Sequence, residues 1–178
     1  MDFRFIPPDL RRLDTLQSEA LALSFFADER PLRGALGLVD WRLCGFLSRQ
    51  LRAGRITGDR GEVSLIPSSG RMVFEKLFLV GLGPRNDLSL TDVEGSLRLT
   101  LGTLARARVR SGVLALPGRS LGLVAADEAM KILLRTAEGI DDIDDLTVID
   151  EAEAHKPMER VLEQERQRAR ARAGSMDV

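Results

Sequence analysis

Reactive side chains are scarce in this sequence. Its 178 residues include one cysteine, Cys44, and one histidine, His155. A single cysteine excludes an internal disulfide. A lone histidine with no nucleophile beside it is poorly equipped for acid–base or covalent catalysis. No run of about 20 apolar residues occurs, so no membrane-spanning helix is expected. The opening Met1-Asp2-Phe3-Arg4-Phe5 lacks the apolar stretch of a secretory leader. Together these absences point to the cytoplasm, with no membrane partner. Net charge is also nearly absent: 26 basic and 27 acidic residues leave −1. The molecule as a whole is therefore not built to bind a polyanion. Arginine far outnumbers lysine, which we read as base-composition bias of the genome.

What is present is the material of one globular domain, with 44% hydrophobic and 30% charged residues. The clearest element is Lys76-Leu77-Phe78-Leu79-Val80. Its continuous apolar run, cut off by Gly81-Leu82-Gly83-Pro84, reads as a strand buried on both faces and closed by a tight turn. Gly61 to Pro67 reads as a preceding strand that pairs with it in a hairpin. Further strands are expected at Phe3–Ile6, at a sheet edge, and at Glu19–Phe26, Ser111–Leu116 and Asp145–Asp150. Ala27 to Gly34 reads as a polar loop.

Helices are expected between these strands. Asp40 is placed to cap one whose stripe is Leu43, Leu47 and Leu51, with Gly54 as its stop. Thr91-Asp92-Val93-Glu94 has the form of a capping box before a helix carrying Val93, Leu97, Leu101 and Leu104 on one face. A third runs from about Ala125 to Glu138, with Ala126, Met130, Leu133, Leu134 and Ala137 inward and Gly139 as its stop. From Pro157 a charged helix follows and ends in a frayed tail after Gly174. The alternation predicts an α/β fold: a single-domain, three-layer sandwich with a mixed central sheet and helices on both faces. We divide it into an α/β domain, 1–154, and a charged C-terminal helix and tail, 155–178.

Three pieces resemble a known family. They are Gly34-Ala35-Leu36-Gly37-Leu38-Val39-Asp40-Trp41-Arg42-Leu43-Cys44-Gly45-Phe46-Leu47-Ser48, then Phe74-Glu75-Lys76-Leu77-Phe78-Leu79-Val80-Gly81-Leu82-Gly83-Pro84, and the helix ending Ala137-Glu138-Gly139-Ile140. From about Leu13 to Asp150 the chain resembles the N-terminal domain of the leucyl aminopeptidase (M17) family. That resemblance implies a macro-domain-like fold. In full-length members this domain precedes a catalytic domain holding two metal ions, usually zinc. It helps pack the hexamer and shape access to the active site, and in some members it contacts DNA. The family's metal ligands, catalytic lysine and Asn-Thr-Asp-Ala-Glu-Gly motif have no counterpart in this sequence, which ends where the catalytic domain would begin. No catalytic, metal-binding or cofactor-binding residue is therefore transferred, and no cofactor is expected.

The remaining candidates each have a plain structural reading beside the functional one. Asp141, Asp142, Asp144 and Asp145 form an acidic cluster without a nearby histidine and read as a solvated loop. His155 reads as a surface residue and Cys44 as a small apolar side chain in the packing. Gly81 and Gly83 in one turn, and Gly118 and Arg119 in the other, Pro117-Gly118-Arg119-Ser120-Leu121-Gly122, could cradle a nucleotide or ADP-ribose-type ligand. Neither carries a complete dinucleotide or P-loop pattern, and both read more simply as turns. Arg166, Arg168, Arg170 and Arg172 could meet nucleic-acid phosphates. They read more simply as a solvated helix end whose cations suit its dipole. Trp41 reads as core, with an interface anchor as the alternative.

The sequence thus predicts a non-enzyme: a free-standing scaffold, oligomerisation or regulatory module. Its expected partners are further copies of itself or a separately encoded protein, an M17 catalytic subunit among them. Ligand binding at the glycine turns and DNA binding by the arginine helix are the alternatives.

Overall fold

The computed structural model describes residues 1–174. The tail expected to fray lies outside the described residues. A six-stranded sheet runs in the order β1-β6-β5-β2-β4-β3. Its strands are β1 Asp2–Ile6, β2 Ala20–Phe25, β3 Val63–Ile66, β4 Lys76–Gly81, β5 Ser111–Ala115 and β6 Asp145–Ile149. All neighbours pair in parallel except β3, which runs antiparallel to β4. The sheet is mixed, the expected hairpin forms, and β1 lies at an edge. β4 is buried from Leu77 to Gly81, as its unbroken apolar run requires.

Alternation along the strands sends side chains to two separate cores. Leu21, Leu23 and Phe25 of β2 face one helical layer, while Ala20 and Ala22 face the other. The first layer holds α1 Leu10–Asp14, α2 Gly34–Arg42 and α3 Phe46–Arg52. The second holds α4 Leu90–Arg106, α5 Ala126–Ala137 and α6 Ala152–Gly174. Each fully buried Leu or Phe adds about 1.5–3 kcal/mol relative to exposure. Among the described residues, no helix is long and apolar enough to cross a membrane.

Several boundaries differ from expectation. α1 was not foreseen; Asp9 caps it by accepting the Arg11 N–H at 2.7 Å. Part of the expected polar loop is already helical, since α2 begins at Gly34. Asp40 does not start that helix but sits in its last turn. It still serves as a cap, for the next helix: its carboxylate accepts the backbone N–H of Ser48 at 3.2 Å and the Ser48 hydroxyl. Ser48 is in the first turn of α3, where N–H groups lack intrahelical partners. Between the two helices, Cys44 (φ 55°) and Gly45 (φ 73°) take the left-handed conformation that ends an α-helix.

α4 is capped by Ser89, not Thr91. The Asp92 carboxylate accepts the Ser89 N–H at 2.9 Å, and the Ser89 hydroxyl accepts the Asp92 N–H at 3.2 Å. Glu94, assigned to the box, instead pairs with Arg98 and Arg135 at 2.9 and 2.6 Å. α6 begins at Ala152 and carries Pro157 inside it. Ala154, Met158, Val161 and Leu162 are buried in the second core, close to Phe3 and Phe5 of β1. The first half of this charged helix is therefore amphipathic and joins the domain.

Candidate functional site

The five parallel strands point the same way, so their carboxyl ends share one rim of the sheet. In open α/β sheets, ligands bind in the crevice outside that rim. Here it is built from the segments after β1, β6, β5, β2 and β4. Pro8, Gly34, Ala115, Arg119, Ile149 and Asp150 enclose a cavity of about 150 Å³. Pockets for drug-sized ligands run to about 300–1,000 Å³.

A buried ion pair dominates this cavity. Arg119 Nε and Nη2 donate to the two carboxylate oxygens of Asp150 at 2.7 and 3.1 Å. The side chains are 17% and 5% exposed. Arg119 Nη1 also donates to the Val124 carbonyl at 2.6 Å, fixing the Gly118 loop on the end of β6. Asp150 further accepts the Glu151 N–H at 2.8 Å. Gly118 (φ 77°) must be glycine, since a Cβ would lie 2.8 Å from Val124 Cγ2 and 2.9 Å from Leu88 Cδ2.

The other glycine turn presents its donors to the protein itself. Gly81 N–H bonds the Glu62 carbonyl at 2.8 Å, Leu82 N–H that of Phe25 at 2.9 Å, and Gly83 N–H that of Gly58 at 2.8 Å. Pro84 has no N–H to offer. Beside the turn, Glu29 is buried and accepts the N–H groups of Phe26 and Arg33 at 3.3 and 3.1 Å. Burial raises its pKa from the usual value, with those two N–H groups opposing. Asp28 is exposed, and the Arg85 guanidinium holds its pKa below the usual range.

The acidic cluster is dispersed by arginines. Asp144 takes both arms of Arg110 at 2.7 and 2.8 Å, which lowers its pKa, and Asp145 pairs with Arg4 at 2.8 Å. Asp141 and Asp142 are exposed. Among the described residues, no three His, Cys, Asp or Glu side chains gather as a metal site requires. Of the arginines on α6, Arg166 lies 3.7 Å from Asp2, Arg168 pairs with Glu165, and Arg170 and Arg172 are exposed.

Three placements correct the sequence reading. Trp41 is not core: it is 72% exposed, because α2 turns Leu36 and Val39 inward and Trp41 outward. Cys44 is exposed rather than packed, lifted out by the chain reversal. Its Sγ accepts from Arg71 at 3.2 Å and its carbonyl from Arg49 at 2.6 Å. His155 is half-buried, with Nε2 2.8 Å from the Asp150 carbonyl and its ring 6.0 Å from that of Phe5. The Asp150 partner of Arg119 was missed, since nothing local in sequence couples a loop arginine to a strand end 31 residues on.

Comparison with known sequences decides the family. The profile of the cytosol aminopeptidase family's N-terminal domain matches residues 22–142. The chain belongs to the cytosol aminopeptidase family. A probable cytosol aminopeptidase of Cyanothece sp. (strain PCC 7425 / ATCC 29141) is 30% identical over 105 residues. That match covers 59% of this chain and 20% of the relative, so this aminopeptidase N-terminal domain spans a small part of such proteins.

Solved structures agree on the fold. A mutant of tomato leucine aminopeptidase aligns with a TM-score of 0.61 and 16% identity, over 90% of this chain and 35% of that one. The Trypanosoma brucei macrodomain in complex with ADP gives 0.70 and 13%, over 90% and 67%. The macrodomain of Thermus aquaticus DarG gives 0.62 and 16%, over 83% and 97%. The aminopeptidase N-terminal domain is thus macrodomain-like.

Proposed function

We propose that this aminopeptidase N-terminal domain is non-catalytic and acts by protein–protein contact. It binds a second copy or a separately encoded partner, an M17 catalytic subunit being one such partner. The observation that carries the reading is Trp41, which projects 72% exposed from α2. Tryptophan is enriched at the centres of interfaces and holds little advantage alone in water. Family membership supports the reading, because the matched region is the domain that precedes catalysis. Light scattering and chemical cross-linking in the native cell test it. A strict monomer that cross-links to no protein would overturn it.

A second reading, ligand binding of the macro type, draws on fold neighbours whose structures contain ADP or ADP-ribose. Against it stands the small cavity in which Arg119 and Asp150 satisfy one another. A ligand at 100 times its Kd raises stability by about 2.7 kcal/mol. A thermal melt with ADP-ribose that does not shift removes this reading. DNA binding through Arg166, Arg168, Arg170 and Arg172 is the third. It requires affinity that falls steeply with salt and is lost when these residues are replaced.

A further inference from the structure

We infer that the α2–α3 face is a docking surface for an acidic protein segment carrying an apolar anchor residue. The inference rests on the contact reading above and names the surface and the chemistry of its partner.

Charge is the first ground. Between Arg30 and Arg55 the chain holds six arginines and one acid, Asp40. Asp40 is 9% exposed and its carboxylate is engaged by Ser48, although it also borders the hollow beside Trp41. Of the six, Arg42 pairs with Asp14. Arg33 interacts with the Glu29 carboxylate, which accepts its backbone N–H, and Arg30 donates to the Glu29 carbonyl. Among the described residues, Arg49, Arg52 and Arg55 have no carboxylate partner, and neither does the adjacent Arg71. On the opposite side Arg98, Arg110 and Arg135 are in ion pairs, while Arg106, at the end of α4, bonds only the Thr103 hydroxyl. The α2–α3 face of a chain of net charge −1 thus carries several cations without a carboxylate partner, and these complement carboxylates.

Shape is the second ground. Trp41 and Cys44 border an open concavity of about 650 Å³. On the other side of Cys44, Phe46, Arg49, Pro67 and Arg71 line a second one of about 280 Å³. Arg49 and Arg71 both reach Cys44, at 2.6 and 3.2 Å, and so frame the ridge between the two hollows. Hollows that set a tryptophan and a phenylalanine among arginines, without a lysine, have the residue types enriched at protein interfaces. Single-stranded nucleic acid calls for successive aromatic platforms, and Trp41 is the only strongly exposed aromatic among the described residues.

The test is a selection from a randomised 12-residue peptide library displayed on phage, against the intact folded chain. Selected peptides should be rich in Asp and Glu and carry a Leu, Phe or Trp. By fluorescence anisotropy they should lose about tenfold or more in affinity on Trp41→Ala, and as much on the double charge reversal Arg49→Glu, Arg71→Glu. Both changes lie at the surface, and circular dichroism confirms that the variants fold. Failure to enrich any acidic peptide would overturn the inference, as would peptides that bind both variants undiminished. Equal or tighter binding of a (dT)12 oligonucleotide, lost in the same variants, would transfer the face to nucleic acid. If the native cell yields a cross-linked partner whose hydrogen-exchange protection falls on β3 and not on residues 41–49, the contact reading stands and this surface is wrong.

Discussion

Replacing Arg119 with methionine tests what closes the rim of the sheet. Methionine keeps much of the apolar volume and removes the charge. Asp150 would then keep the Glu151 N–H on one oxygen and nothing on the other. Breaking a buried pair by removing one partner costs about 3–5 kcal/mol. Because 17% of the Arg119 side chain reaches solvent, we expect the lower end, about 3 kcal/mol. For a chain of this size that lowers Tm by roughly 6–12 °C. The double variant Arg119→Met, Asp150→Leu leaves no stranded charge and should recover most of the loss, giving strongly non-additive energies. Urea unfolding followed by circular dichroism measures all three variants. A single-variant cost below about 1 kcal/mol, or a double variant that costs the sum of both singles, would refute the claim that this pair pins the Gly118 loop.

Three further outcomes follow from individual sites. Asp40→Ala should cost about 1 kcal/mol as a lost cap, and Ser48→Ala on top of it should add little, by chemical denaturation. Gly95→Ala should stabilise by about 0.5–1 kcal/mol, since a Cβ there meets nothing within 4 Å, whereas Gly81→Ala should destabilise severely, its Cβ falling 2.1 Å from the Asp59 carbonyl oxygen. Glu29 has a raised folded-state pKa. The native state thus holds its proton more tightly than the unfolded chain. Its contribution should be full below the unfolded value of about 4.3 and decline as pH rises through the folded one. The Tm difference between wild type and Glu29→Gln, followed from pH 3.5 upward, should shift against the wild type; a shift in its favour would show the sign to be wrong.

Much of the fold was legible because burial imprints periodicity. β4 announces itself by an unbroken apolar run, and α4 and α5 by Leu97, Leu101, Met130 and Leu133 at helical spacing. What escaped depends on geometry that periodicity does not carry. Leu43, Leu47 and Leu51 lie on one apparent stripe, yet Cys44 and Gly45 break it into two helices with positive φ. That break turned Cys44 outward. Trp41 was misplaced because residue type favours burial while the register of α2 does not. The rim was legible only as glycine turns; the Arg119–Asp150 pair joins elements brought together by the sheet alone. The docking face was present as a local excess of arginine, but compositional bias hid it until the structure distinguished paired from unpaired guanidinium groups.

The placing of β1 has a consequence for how the molecule assembles. Its one strand neighbour is β6, with Asp2 opposite Asp145, while Phe3 and Phe5 pack on the second core and Ile6 on the first. β1 is the first of the six strands in chain order, yet its strand partner β6 is the last of them. The inner strands β5, β2 and β4 pair with one another without it, so β1 is expected to join the sheet last. Such long-range closure is slow relative to local contacts. It marks that flank of the sheet as the seam where heat or a protease should first open the protein.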